Sequence, residues 1–327
     1  MHFPPLIPTL RDGLKKGHRQ YWKILKIVLP VFVVMTVLKL VPLGGTPLIP
    51  RLAEFLQPLM GFIGLPGEAA LAIMLGWSIN IYACVSAMAS GGYSVPQATA
   101  MGLIVGIAHN FFVETAILYK LKANGLLLLL FRIVAGLSAG AVYLFFAGHG
   151  GAQGGVPGGL PPPGWVEQLL SPLLDLLHSR LLPLPAELLG GSLKLCLNIY
   201  WIILLVFLAV EFLRESGGLE KLLKLSRPLL WLLGMDEAAA LPWLAGFLFG
   251  LVYGAGLMLQ AAEEKPLPPD QILKVAVFCI LCHAVIEDTW LFKPVGASLI
   301  WILIIRLGLA FGVGAVLGRW RPGAGAP

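Results

Sequence analysis

The sequence carries one motif twice, each time inside an apolar run of about the length that crosses a bilayer. The first copy runs through His109, Asn110, Glu114 and Thr115, the second through His283, Glu287, Asp288 and Thr289. Lipid offers no partner to an ionisable side chain. A fold that places such groups at that depth must bury them against one another or line a polar path with them. The copies keep a single spacing: 283 − 109, 288 − 114 and 289 − 115 all equal 174. The register continues to Arg132 and Arg306, then to Gly140-Ala141-Val142 and Gly314-Ala315-Val316. A histidine, a carboxylate, a threonine and an arginine repeated in register point to a duplicated unit.

Composition sets the class. The 327 residues are 58% hydrophobic and 12% charged, with a mean hydropathy of +0.86. Apolar runs at Ile24–Val41, Leu126–Ala147 and Leu188–Leu213 reach the roughly 18–20 residues that span the hydrocarbon core. The chain therefore reads as an integral membrane protein in the cell (inner) membrane. Its net charge of +6 comes from basic residues at segment ends, which are topology signals. No nucleic-acid-binding module is present. All four cysteines (Cys84, Cys196, Cys279 and Cys282) lie in apolar segments, so no disulfide framework is expected. Cys279 to His283 matches the C-x-x-C-H haem-attachment pattern, but the first copy has Val105 and Ala108 where the cysteines would be, and the run is mid-membrane. No haem is expected.

The chain divides into a basic arm (1–20), a first repeat (21–147), a Gly/Pro-rich linker (148–164), a second repeat (165–318) and a basic tail (319–327). Tyr21-Trp22 matches Tyr200-Trp201, and amphipathic Arg51–Ile63 matches Leu219–Leu233. Pro58/Pro228, Gly64/Gly234, Gly76/Gly246 and Met88/Met258 each differ by 170. Trp165–Ser179 is a further amphipathic stretch. Continuous helices are expected over Glu68–Ser90, Gln97–Leu118, Leu126–Ala147, Glu237–Ala261, Gln271–Phe292 and Val295–Gly318. Gly136-x-x-x-Gly140 suits close helix packing. The fold class is all-α, with about eight to ten membrane segments including amphipathic or re-entrant ones. Basic clusters at residues 11–26, Lys120/Lys122, Lys221–Arg227 and Arg319/Arg321 should face the cytoplasm, as should both termini, while the charge-free linker faces out. That places an odd number of crossings in each half and makes the repeats inverted in topology. Four plain crossings per half, with parallel repeats, is the alternative.

At 100° per residue on a continuous helix, His109 and Glu114 lie about 140° apart and share no face. Asn110 and Glu114 do share one, as do His283 and Glu287, while Asp288 is offset. Two copies meeting at mid-membrane would gather His109, His283 and Glu287 as metal ligands, with Glu114 and Asp288 behind them. Imidazole nitrogen with carboxylate oxygen suits a divalent ion such as ferrous iron, manganese or zinc. A polar organic solute or a proton is the other candidate occupant. Arg132 and Arg306 balance Glu114 and Asp288, and those two ion pairs could be purely structural. Thr115 and Thr289 are expected to bond back to their own helices. Asn80, Tyr82 and Tyr253 line a polar path or simply pack. The sequence contains no G-x-x-x-x-G-K-[ST], HExxH or G-x-S-x-G pattern, so no enzyme is expected.

The stretches Ile63–Ala83 (IGLPGEAALAIMLGWSINIYA) and Leu233–Gly256 (LGMDEAAALPWLAGFLFGLVYGAG) carry a resemblance. With the two histidine motifs, the chain resembles the Gate, or nucleoside-recognition, membrane family over roughly residues 20–145 and 185–318. That family includes the membrane part of ferrous-iron transporter B, spore maturation proteins A and B, and concentrative nucleoside transporters. The likeness is nearest to standalone two-Gate proteins. It implies a polytopic protein that moves, or gates movement of, a small solute, and fold analogy does not name that solute. The expected function is a transporter or channel for a small polar solute or divalent cation, at the interface of the repeats. A non-transporting scaffold and a nucleoside or nucleobase transporter are the alternatives. A membrane-embedded enzyme ranks last. Partners are membrane lipid and the solute or ion. A homo-oligomer is left open.

Overall fold

The computed structural model of the chain describes residues 6–40, 42–43, 46–148, 186–251 and 267–319. Most of the linker, the Trp165–Ser179 stretch, Tyr253, Met258 and the basic tail beyond Arg319 lie outside the described residues. The architecture is helical. A two-residue ladder that pairs Pro42–Leu43 with Thr46–Pro47 is the strand pairing among the described residues. Among the described residues, four stretches are long and apolar enough to cross a membrane: Val95–Lys120, Gly125–Ala147, Ser192–Leu213 and Leu299–Arg319. Their outward faces carry large exposed apolar side chains such as Leu127, Leu130, Phe145, Phe146, Ile300 and Ile304, as lipid contact requires.

Helix α1 (Leu6–Leu40) is continuous through the stretch expected to be a separate basic arm. The reason is a small-residue stripe. Thr9, Gly13 and Gly17 are buried one helical turn apart and let α1 approach α8 (Ala186–Glu215) closely. A Cβ on Gly13 would meet Leu208 at 2.9 Å, and one on Gly17 would meet Leu204 at 3.2 Å. Tyr21 then packs on Tyr200 with ring centroids 4.9 Å apart. Rising numbers on α1 meet falling numbers on α8, so the pair is antiparallel. Lys16 and Glu211 close it with an ion pair of 2.5 Å.

Two amphipathic helices, α2 (Leu48–Gly61) and α9 (Gly218–Leu232), match the expected pair, each with an internal proline, Pro58 and Pro228. Each ends in a turn with a positive-φ glycine, Gly64 (82°) and Gly234 (59°). Beyond them, three of the helices expected to be continuous are broken. The Glu68–Ser90 run is α3 (Ala69–Ser78) and α4 (Ile81–Ala89), with Asn80 capping α4 by accepting from the Ala83 amide at 3.0 Å. The first motif run is α5 (Val95–Ile107) and α6 (Phe111–Lys120). The second, after α10 (Glu237–Leu251), is α11 (Pro269–Leu281), an irregular passage, and the single turn α12 (Glu287–Trp290). Helices α7 (Gly125–Ala147) and α13 (Leu299–Arg319) are unbroken, close to their expected bounds.

Helices α5 and α11 are each 13 residues long, about 20 Å, so each ends inside a hydrocarbon core of about 30 Å. Both are almost wholly buried, as central helices must be when other helices shield them from lipid. Small residues set the approach. A Cβ on Gly136 of α7 would sit 2.8 Å from the Ile104 carbonyl oxygen of α5, and one on Gly140 would meet the Ile104 side chain at 2.7 Å. A Cβ on Gly314 of α13 would meet Leu233 at 2.5 Å and lie 3.8 Å from Phe278 of α11, the position matching Ile104, since 314 − 140 and 278 − 104 both equal 174. The halves also interlock: Gly102 and Gly106 of α5 lie against Ile302 and Arg306 of α13.

Candidate functional site

Each motif sits where its helix stops. Helix α5 ends at Ile107, and Asn110 turns the chain with φ 49° before α6 begins. Helix α11 ends at Leu281, and Ala284 makes the matching turn with φ 41°. Left-handed backbone is uncommon outside glycine, and asparagine tolerates it better than alanine. The turns are held from a neighbouring helix on each side. The Asn110 amide donates to the Gly76 carbonyl at 3.0 Å, and the Ala284 amide to the Gly246 carbonyl at 3.2 Å.

A helix that stops in the membrane leaves carbonyls without amide partners, where no water can replace them. The two buried arginines supply the donors. Arg132 donates from Nε to the Ile107 carbonyl and from Nη2 to the His109 carbonyl, each at 3.1 Å. Arg306 donates from Nη2 to the His283 carbonyl at 2.8 Å. Both guanidinium groups are 0% exposed, so each needs a counter-charge. Arg132 Nη2 lies 2.7 Å from Glu114 Oε2, and Arg306 Nη2 lies 3.3 Å from Asp288 Oδ2. The repeated histidine, carboxylate and arginine are thus one device, in which the arginine caps the broken helix and fixes the carboxylate beside it.

The break also moves the carboxylates. On a continuous helix Glu114 would face away from His109. Here Glu114 Oε1 lies 3.2 Å from His109 Nε2 and 3.4 Å from His283 Nε2. The histidines meet across the two halves with Nε2 atoms 3.3 Å apart. Asp288 Oδ2 is 3.6 Å from His283 Nε2 and 4.0 Å from His109 Nε2. Glu114 therefore touches the histidines directly rather than standing behind them, while Asp288 stays one step farther off. Glu287, expected beside His283, is not in the cluster. It leaves with the short α12 turn and accepts a hydrogen bond from the Tyr82 hydroxyl.

Ring orientation is fixed in the same way on both sides. His109 Nδ1 lies 2.8 Å from the Val105 carbonyl, and His283 Nδ1 lies 2.8 Å from the Cys279 carbonyl. A carbonyl only accepts, so each Nδ1 carries a proton and each ring turns its Nε2 toward the cluster. Three atoms, the two Nε2 nitrogens and Glu114 Oε1, then converge on one point.

The cluster opens on a cavity of about 230 Å³. Asn80, Tyr82, Asn110 and Glu287 line it, with Gln20 and Lys23 of α1. Asn80 and Tyr82 thus line this cavity, and Asn80 also serves as the α4 cap. The Tyr82–Glu287 contact was beyond sequence reasoning, because the partners are 205 residues apart. Thr115 and Thr289 do not bond back to their helices: neither hydroxyl has a hydrogen-bond partner among the described residues. A larger groove of about 610 Å³ between α7 and α13 is lined by apolar side chains, Ser138 and Tyr143, and contains no group of the cluster.

The model of the Gate family, described as nucleoside recognition, matches residues 21–149 and 196–298. The chain belongs to the Gate family. The two matched segments fall one in each half, and each contains one histidine motif. Gate proteins of this kind are membrane proteins, in keeping with the apolar helices. The chain is also 28% identical over 322 residues to the uncharacterized membrane protein YvoD of Bacillus subtilis (strain 168), covering 95% of this chain and 96% of that one. No solved structure is significantly similar to it.

Proposed function

We propose that this Gate protein is a transporter or channel that moves a small polar solute or divalent cation through the site between its halves. The observation that carries the reading is the cluster of His109, Glu114, His283 and Asp288. It is built by both halves at the ends of broken helices and opens on a polar cavity. Broken helices and buried ionisable groups at mid-membrane are how transporters make a site that lipid would otherwise forbid. A cavity of about 230 Å³ falls below the roughly 300–1,000 Å³ of pockets that enclose organic ligands, which favours an ion over a nucleoside. Purified protein in sealed liposomes is the test. Uptake of divalent cations and of nucleosides should exceed that of empty liposomes for one class. The His109→Ala/His283→Ala variant should fall to the empty-liposome rate while still eluting as a folded protein. Uptake retained by that variant would remove the cluster from the pathway. No uptake of any solute would favour the scaffold reading.

The repeats are inverted in this reading. Support comes from the antiparallel packing of α1 on α8, in which matched Tyr21 and Tyr200 face each other, and from the basic segment ends. Phe62 and Leu232 hold matched positions at the ends of α2 and α9, since 232 − 62 equals 170, and both are exposed. The free cysteines are all buried, so single cysteines placed at these sites report cleanly. A membrane-impermeant maleimide should label Phe62→Cys and Leu232→Cys from opposite sides. Labelling from one side would mean parallel repeats.

A further inference from the structure

We infer that His109 Nε2, His283 Nε2 and Glu114 Oε1 are three ligands of one divalent first-row transition-metal ion, with Asp288 facing the fourth position. This deepens the transport reading by naming the ion class. As a binding site it stands whether or not the ion crosses.

Geometry is the first support. The three donor atoms form a triangle with edges of 3.2, 3.3 and 3.4 Å. Four-coordinate zinc holds nitrogen and oxygen ligands at about 2.0–2.1 Å, which sets ligand atoms about 3.3–3.4 Å apart around a tetrahedron. The triangle is therefore one face of such a tetrahedron. Asp288 Oδ2, at 3.6 and 4.0 Å from the two nitrogens, stands farther off than a tetrahedral edge and outside the set of three. It is placed to hold a water on the ion rather than to ligate it.

Proton bookkeeping is the second. Both imidazoles donate Nδ1–H to a backbone carbonyl, the arrangement that metal-binding histidines adopt to aim Nε2 at the ion. Two Nε2 atoms and a carboxylate oxygen face one another at under 3.5 Å in a buried site, an arrangement that needs a metal ion or a proton between them. Glu114 is divided in the same sense: Oε2 is taken by Arg132, and Oε1 is left for the centre.

The donor set decides the class. Two imidazoles and a carboxylate suit zinc, ferrous iron, manganese or cobalt, whereas calcium and magnesium prefer six or more oxygens. Arg132 and Arg306 already balance the two acids, so the ion brings uncompensated charge into a buried site. That repulsion keeps binding reversible, as a site that must release its ion requires.

The test uses the full-length protein in detergent, stripped of metal and titrated with cobalt. One ion per chain should bind and give the intense visible absorption of four-coordinate cobalt. An equivalent of zinc should displace it, and magnesium and calcium should not. Glu114→Gln and His283→Ala should weaken binding by more than the roughly 10–100-fold that follows loss of an outer partner. Asp288→Asn should weaken it less, and His18→Ala should leave it unchanged. Melting read in parallel separates misfolding from lost ligation: zinc should raise the melting temperature of the wild type and not that of a folded Glu114→Gln. A folded wild type that takes up no cobalt or zinc overturns the inference. So does undiminished binding by the His109→Ala/His283→Ala variant. Metal binding without flux would sink the transport proposal and leave this one standing; solute flux without metal binding would do the reverse.

Discussion

Replacing Arg132 with leucine should destabilise the protein by about 3–5 kcal/mol, the usual cost of breaking a buried ion pair by removing one member. The loss has two parts. Glu114, 1% exposed, keeps a carboxylate with no counter-ion at 2.7 Å. The Ile107 and His109 carbonyls lose the donors that cap α5 at mid-membrane. Arg306→Leu should cost less, because Arg306 caps one carbonyl and its carboxylate contact is longer, at 3.3 Å. Thermal unfolding of the two variants in one detergent measures the order. Removing both members, as Arg132→Leu/Glu114→Leu, should recover part of the loss, since no lone charge stays buried. Equal melting of wild type and Arg132→Leu would show that the arginine does not hold the break together.

Gly67→Ala should cost about 3 kcal/mol, the upper end of what overpacking usually costs. A Cβ at Gly67 would lie 1.9 Å from the Ala53 carbonyl oxygen, so backbone rather than a flexible side chain would have to move. The Gly67 amide also accepts no slack, because it donates to Gln57 Oε1 at 2.7 Å. The turn after α2 would be pushed from the helix it packs on, and with it the entry to α3, whose last turn supplies the Gly76 carbonyl that holds Asn110. Gly92→Ala is the matched control: nothing lies within 4 Å of its Cβ position, and its melting should be unchanged. Similar melting of the two variants would refute the close approach at Gly67.

The class of the protein was legible because it depends on local quantities. Apolar length and low charge need no partner to be read, and α7 and α13 fall within a few residues of their expected bounds. The duplication was legible because a repeat is a property of the string itself. The pairing of Glu114 with Arg132 and of Asp288 with Arg306 followed from antiparallel packing across a short turn, and the structure places both pairs in contact. The stripe of Thr9, Gly13 and Gly17 was present in the sequence, but the basic residues around it masked it as a surface arm.

The helix breaks were not legible, and they rearranged the site. Ala108 and Cys282 are ordinary helix residues, and nothing local forbids α5 or α11 from continuing. Stopping there becomes affordable only when Arg132 and Arg306, each 23 residues beyond its histidine, satisfy the freed carbonyls, and when Gly76 and Gly246 receive the amides at the turns. Once broken, the chain no longer follows the 100° rule. Glu114 swings onto the histidines, and Glu287 leaves for Tyr82. Sequence alone determined which groups are buried in this membrane protein and that they occur in two matched sets. Tertiary structure decided which of them meet, because a helix broken inside a bilayer is stable only where distant side chains replace the missing hydrogen bonds.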